Sequence, residues 1–385
     1  MVGASHLISP PAVVAGGLTL NPERPLSSAV RGAVDGAISG FLDSQAPVLA
    51  AMGPELDRVL DLLHQTLAGG KRLRPAFCLW SYLAADGDLE HLPAVVGAAS
   101  SFELLHVSAL VHDDVMDGSD LRRGQPAAHR QFEALHRSSG WVGDSAGFGR
   151  SGAILVGDLL VMWSVQLAQH AGLPADALER TLPVIEAMRT EVTCGQYLDV
   201  VAQVQPLRLD NGSGIGRALD EASRVVEYKS ARYTVLRPCQ AGAAMAGASP
   251  ELHDALAAYG SPLGRAFQFR DDLLGVFGDP DVTGKPAGDD LREGKRTVLV
   301  AHALAGADAR GRRLLARGLG DPALDDDGVA ELQDVITASG AREDVESMIA
   351  AGHRQALRAL ADADLTPAGR TALTALADLA VRRDA

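Results

Sequence analysis

Apolar residues recur at spacings of three and four along most of the chain beyond Val30, the period of amphipathic helices. Met52 to Leu67 reads as one such helix, stopped by Gly69-Gly70. Pro75 then opens the next helix from a favoured first-turn position. Residues 93 to 117 read as a long helix that Gly118 ends, and further helices are expected over about 153–171, 176–203, 217–247, 251–277 and 290–305, with several more near the C-terminus. Residues 138–152, rich in Gly and Ser, read as a flexible loop, and residues 205–216 as a second. Residues 1–28, rich in Pro, Gly and Ser, are expected to form a flexible N-terminal tail, and residues 29–385 one domain. Alternating strand patterns are almost absent, and no short-period repeat is found. The expected class is all-α, a single large helical bundle.

Composition agrees with this reading. The chain is 47% hydrophobic but only 4% aromatic, so its core is mainly Ala, Leu and Val. The length of 385 residues allows one large helical domain or two average ones. A formal charge of −14 argues against a general nucleic-acid binder. Cys78, Cys194 and Cys239 are far apart and lack metal-site spacing, as in a reducing compartment. The segment from Leu7 to Leu20 is broken by Pro10 and Pro11 and does not read as a secretory signal. Asp158 interrupts the most apolar run, Ile154 to Trp163, so no run is expected to span a membrane. A cytoplasmic protein is expected.

Two acidic clusters stand inside this apolar helical sequence. One is His112-Asp113-Asp114-Val115-Met116-Asp117, the other Gln268-Phe269-Arg270-Asp271-Asp272. Asp113 and Asp117 lie one helical turn apart and share a face. Buried carboxylates repel one another unless a cation relieves them, and Mg²⁺ typically takes one or two carboxylates together with substrate phosphates. A solvated helix end explains one such cluster; two following apolar runs point to a metal. Lysine usage is equally selective. Of 35 basic residues only Lys71, Lys229, Lys285 and Lys295 are lysines, each near a Gly-rich or acidic motif. Lysine is a compact point charge suited to a phosphate oxygen. The two clusters could mark facing helices of one bundle, where metal sites are commonly built.

With these residues in view, the chain closely resembles the trans-isoprenyl diphosphate synthases, or polyprenyl synthetases, over about residues 35–350. The resemblance rests on motifs in order: Gly70-Lys71-Arg72-Leu73-Arg74-Pro75, Glu103-Leu104-Leu105-His106, the first Asp cluster, Leu121-Arg122-Arg123-Gly124-Gln125-Pro126, Gly157-Asp158-Leu159-Leu160, Gly195-Gln196-Tyr197-Leu198-Asp199, Lys229-Ser230-Ala231, the second Asp cluster, Gly284-Lys285-Pro286 and Asp290 to Lys295. It implies helices around a central cavity, a homodimer, and condensation of isopentenyl diphosphate with an allylic diphosphate (dimethylallyl, geranyl or farnesyl). By analogy Asp113, Asp117 and Asp271 hold Mg²⁺, three ions per site, with Asp114, Lys229 and Gln268 also in the catalytic set. Arg122, Lys229 and Lys295 hold the allylic diphosphate, and Lys71, Arg72, His106 and Arg123 the isopentenyl diphosphate. Arg74, Ser230, Gln268 and Lys285 are further substrate-binding candidates. One departure stands out: the second motif usually ends on Asp, and here Gly275 takes that place. Either Asp271 holds that metal with water, or Asp290 assists.

Product length is read below the first cluster, where the family's short-chain members carry bulky aromatics. Ser108 and Ala109 are small there, with Phe102 as a deeper floor, so a twenty-carbon product is expected; farnesyl or longer chains are the alternatives. Tyr233 and Trp80 are expected in the core. A class I terpene cyclase would need neither Lys71-Arg72 nor a second Asp-Asp pair. A silent partner subunit is favoured only by Gly275, and a helical metal store would call for Glu and Glu-x-x-His ligands on several helices, whereas the acids here gather in Asp clusters.

Overall fold

The computed structural model describes residues 12–15, 17–207, 213–279, 287–321 and 323–382. Helices make up nearly all of it: α1 (Ser28–Ala50), α2 (Asp57–Leu67), α3 (Leu73–Ala84), α4 (Leu92–Asp117), α5 (Ala128–Ser138), α6 (Ser145–Gln169) and α7 (Ala175–Val204). Next, α8 (Ser213–Val225) runs through a wider π-helical segment, Val226–Leu236, into α9 (Arg237–Ala246). Then follow α10 (Pro250–Phe277), a short α11 (Asp289–Arg292), α12 (Val298–Gly306), α13 (Ala309–Gly318), α14 (Asp326–Ala338), α15 (Ala341–Asp362) and α16 (Pro367–Val381). Two short antiparallel pairs complete the fold, β1 (Val13–Ala15) with β2 (Leu18–Leu20) and β3 (Leu121–Arg122) with β4 (Gln125–Pro126).

The apolar residues of α4 lie on all its faces, and it is accordingly the central helix, buried from Leu92 to Asp114 against α6, α1 and α3. Across the bundle, α10 packs between the π segment and α15. The C-terminal ends of α4 and α10, where the acidic clusters lie, therefore open on one cavity. By length and composition α4 and α6 are both apolar enough to cross a membrane, which the sequence had not led us to expect; 72% of the α4 window is buried in the bundle, against 44% for α6.

Several local expectations change. Of the expected N-terminal tail, residues 1–11 lie outside the described residues, but the following segment is docked: Leu20 is buried and the Trp80 indole N–H donates to the Pro25 carbonyl at 3.1 Å. The Gly-rich stretch 138–152 is helical from Ser145 onward. Asp144 caps it by accepting from Ala146 N at 3.0 Å, and a side chain at Gly149 would collide with the His129 carbonyl at 2.3 Å. Those glycines let α5 and α6 touch, so close packing outweighs their poor helix propensity. Likewise the expected loop 205–216 is helical from Ser213, and α2 begins at Asp57, after a 3₁₀ turn over Pro54–Leu56.

Candidate active site

A cavity of about 640 Å³ is lined by Lys71, Arg72 and Arg74 from the α3 end, His106, Leu110 and Asp113 from α4, and Lys229, Ser230, Tyr233 and Thr234 from the π segment. Gln268, Asp271, Asp272 and Gly275 of α10 and Asp289, Asp290 and Lys295 near α11 form the facing wall. Residues up to 224 positions apart in the chain, from Lys71 to Lys295, are thus gathered by five elements.

The π segment sets where Lys229 stands. Glycines on both neighbouring helices accept its backbone: a Cβ at Gly195 of α7 would fall 2.3 Å from Lys229 N, and one at Gly264 of α10 would fall 2.4 Å from the Ala231 carbonyl oxygen. Held there, the Lys229 ammonium donates to Asp199 Oδ2 at 2.6 Å and Asp113 Oδ1 at 3.0 Å. Gln196 Nε2 also donates to Asp113 Oδ1, at 2.8 Å. Burial alone would lower the Lys229 pKa, but Asp113 and Asp199 outweigh it and hold the ammonium above its ordinary value. Asp199 and Gln196 carried no role in the sequence reading, although both sit in a motif that it quoted.

The two acids of α4 are driven apart. Burial opposes the charge of Asp113, yet Lys229, Lys295 and Arg122 hold it well below the usual carboxylate range. Asp117 is pushed up to about 6 by burial and by the Asp113 charge. Its Oδ2 accepts no hydrogen bond among the described residues and lies 3.4 Å from Lys295 Nζ. Lys295 also approaches Glu293 at 2.6 Å and Asp290 at 3.5 Å. On α10, Asp272 is buried and pushed up to about 8 by that burial, with Gln268 Nε2 donating to its Oδ1 at 2.7 Å and its Oδ2 unpartnered among the described residues. Asp271 lies beside it on the cavity wall. Gly275 is one turn further, and a Cβ there would meet Asp290 Oδ2 at 2.0 Å: the Asp290 carboxylate fills the space beside the glycine. Among the described residues no three of His, Cys, Asp and Glu converge as a ready cation cage. The donor set nevertheless suits a hard divalent ion, because it is carboxylate oxygen, partly unpartnered and drawn from two facing helix ends.

The arginines come from a tight hairpin and a helix start. Arg123 and Gly124, the two central residues between β3 and β4, both have positive φ (54° and 71°), as a type I′ turn requires. Arg122 thereby pairs with Asp114 through Nε at 3.0 Å and approaches Asp113 at 3.7 Å. Arg123 turns towards Gly70, whose Cβ would lie 3.4 Å from its Nη1. Arg72 caps α3 in the left-handed region (φ 54°) and is buried; its guanidinium donates to Asp35 at 2.7 Å, Glu103 at 2.9 Å and the Leu67 carbonyl at 2.6 Å. Three of its five N–H groups therefore brace the loop rather than face the cavity. Arg74 donates to Thr234 at 2.9 Å and covers the Tyr233 ring at 4.2 Å.

The remaining candidates divide. Lys71 and Ser230 line the cavity, while Lys285 lies outside the described residues. Phe102 is buried in the core, and Ser108 faces α6, its hydroxyl donating to the Gly157 carbonyl at 2.8 Å. Ala109 is half-buried, and among Ser108, Ala109 and Leu110 the cavity wall takes Leu110. Trp80 is core as expected. Tyr233 is not plain core: it is buried but faces the cavity, which its position one turn beyond Lys229 signals.

Comparison with known proteins agrees with this geometry. The polyprenyl synthetase family model matches residues 56–336. A short chain isoprenyl diphosphate synthase of Methanothermobacter thermautotrophicus is 32% identical over 327 residues, covering 83% of this chain and 89% of that protein. A geranylfarnesyl diphosphate synthase of Aeropyrum pernix is 32% identical over 298 residues, covering 74% and 81%. The crystal structure of a geranylgeranyl pyrophosphate synthase from Corynebacterium glutamicum, complexed with isoprenyl diphosphate and magnesium, is 40% identical, with a TM-score of 0.87 over 94% of this chain and all of that one. This chain belongs to the polyprenyl synthetase family of prenyltransferases.

Proposed function

We propose that the protein condenses isopentenyl diphosphate with an allylic diphosphate to give a trans-polyprenyl diphosphate, geranylgeranyl diphosphate being the favoured product. One observation carries the reading: acids and cations that would serve two diphosphates line opposite ends of a single cavity. Asp113, Asp117 and Asp271 would hold Mg²⁺, three ions in all, which supplies Lewis-acid neutralisation of the departing diphosphate. Lys229, Arg122 and Lys295 hold the allylic diphosphate beside them. Lys71, Arg123, His106 and Arg74 hold the isopentenyl diphosphate at the other end, with the remaining N–H groups of Arg72. The allylic C–O bond breaks, the isopentenyl alkene attacks the resulting cation, and a proton is lost. Placing both substrates in one cavity supplies the orientation that this step needs. Gln268, with Nε2 committed to Asp272, offers its Oε1, and Ser230 its hydroxyl, to the cation.

The twenty-carbon product rests on the small residue Ala109, four positions before Asp113, since Ser108 is turned towards the Gly157 carbonyl of α6. We further propose a homodimer, supported by the exposed apolar face of α6, where Ile154, Leu155 and Met162 are 44%, 68% and 59% exposed. The test is incubation of the protein with labelled isopentenyl diphosphate, each allylic partner and Mg²⁺, followed by sizing of the products. The reading requires Mg²⁺-dependent prenyl diphosphates that Asp113→Ala lowers by orders of magnitude; unchanged turnover in that variant overturns the metal assignment.

A further inference from the structure

Tyr233 joins three pieces of the cavity that come from different helices. Its hydroxyl lies 3.1 Å from His106 Nδ1 on α4. Its ring lies under the Arg74 guanidinium of α3 at 4.2 Å, and the neighbouring Thr234 accepts from the same guanidinium at 2.9 Å. It sits one turn along the π segment from Lys229, so the backbone that positions Lys229 on the cavity wall also positions Tyr233 there. A buried tyrosine hydroxyl usually finds a partner, as Tyr259 does in the Leu373 carbonyl; the partner of Tyr233 is a side chain that itself lines the cavity.

The chemistry of the histidine gives this link a direction. His106 is half-buried, and desolvation together with Arg74, Arg123, Arg122 and Arg72 holds its pKa well below the ordinary value. The ring is therefore neutral, with one nitrogen donating and the other accepting. A diphosphate oxygen can only accept, so a ligand at Nε2 requires the tautomer with the proton on Nε2. Nδ1 is then the acceptor, and the Tyr233 hydroxyl must donate to it.

We propose that Tyr233 is a positioning residue for the isopentenyl diphosphate subsite: its hydroxyl fixes His106 as the Nε2–H tautomer and its ring fixes Arg74. The inference rests on the proposed assignment of that end of the cavity to isopentenyl diphosphate. Tyr233→Phe removes the hydroxyl and keeps the ring; Tyr233→Leu removes both supports. The expected result is graded. In Tyr233→Phe the KM for isopentenyl diphosphate rises about tenfold, the size expected for one buried hydrogen bond of about 1.4 kcal/mol. In Tyr233→Leu it rises further, and the KM for the allylic partner changes less than threefold in both.

Nitrogen-15 shifts of His106 with inorganic pyrophosphate bound supply a readout independent of turnover. The parent should show a protonated Nε2 and an unprotonated Nδ1, and Tyr233→Phe a mixture of tautomers. A parent with the proton on Nδ1, or equal KM changes for both substrates, overturns the proposal. Failure of the parent to make any prenyl product would instead overturn the functional reading, and the nitrogen shifts would still decide the tautomer. Thermal melts of both variants separate loss of fold from loss of positioning.

Discussion

Gly195→Ala probes whether the position of Lys229 depends on backbone contact between α7 and the π segment. The added methyl would lie 2.3 Å from Lys229 N, 2.5 Å from the Tyr228 carbonyl carbon and 2.6 Å from Lys229 Cα. All three are backbone atoms, so no rotamer change relieves the overlap, and the two elements must part by about 1 Å to reach ordinary contact. Overpacking of this kind costs about 1–3 kcal/mol. Alanine returns about 1 kcal/mol of helix propensity relative to glycine. The net change is therefore a loss of up to about 2 kcal/mol. The control is Gly40→Ala in α1, where nothing lies within 4 Å of the new methyl; it should gain about 1 kcal/mol. The opposite signs are measurable in thermal or denaturant unfolding of the two variants. Function should follow the same displacement. Moving the Lys229 backbone by about 1 Å stretches its 2.6 and 3.0 Å contacts to Asp199 and Asp113 beyond hydrogen-bond range. The KM for the allylic diphosphate should rise about tenfold, since hydrogen bonds to charged groups are each worth about 1.5–3 kcal/mol. A Gly195→Ala protein that melts at or above the parent with an unchanged allylic KM would refute the reasoning.

Gly275→Ala should displace the Asp290 carboxylate, which its methyl would meet at 2.0 Å; calorimetric titration should then show weaker Mg²⁺ binding, and an unchanged isotherm would mean that Asp290 has room elsewhere. Ala109→Phe should shift the product from twenty carbons towards fifteen with the fold kept, whereas Ser108→Phe, whose ring must wedge between α4 and the Gly157 carbonyl of α6, should lose stability first; equal melting temperatures for the two variants would contradict this. The folded pKa of Asp272, about 8, lies above its ordinary 3.8, so its neutral form favours the fold: that contribution is complete below about pH 4 and is lost as pH rises through 8. Without metal, the parent should therefore lose melting temperature between pH 5 and pH 9 more steeply than Asp272→Asn, and parallel pH profiles would show that Asp272 ionises without cost.

The helical class and the residue types of the site were legible because both rest on local signals. A 3.6-residue apolar period, a glycine stop at Gly118 and Asp pairs spaced by one turn need no knowledge of distant contacts. What was not legible depended on contact between helices. The glycines of residues 145–152 look like a loop until α5 is packed against them, and nothing local announces that packing. The segment from Val226 to Leu236 reads as ordinary helix, yet its wider turn follows from being held between Gly195 and Gly264, which lie 34 and 33 positions from the Lys229 and Ala231 they meet. Tyr233 passed for core for the same reason: burial and a place on the cavity wall are compatible, and only the neighbours His106 and Arg74 separate them. That Ser108 lies on the side of α4 that meets α6 likewise depends on a partner helix which its own sequence does not announce.

The contrast between lysine and arginine in this cavity follows from geometry of the same kind. Arg122 and Arg270 each spend a planar fork on a carboxylate, Asp114 and Glu346, and so join two elements firmly. Lys229 and Lys295 behave differently. A compact ammonium lets Lys229 touch Asp113 of α4 and Asp199 of α7 together, and lets Lys295 lie among Asp117, Asp290 and Glu293. The negative charge of the two acidic clusters is therefore offset from within by groups with no fixed directional demand. A guanidinium can also bridge two carboxylates, as Arg72 does with Asp35 and Glu103, but only where they lie along its planar fork. An ammonium can share itself among several oxygens and still turn towards a phosphate. That requirement gives a physical reason for a chain that otherwise prefers arginine to keep lysine at these two positions.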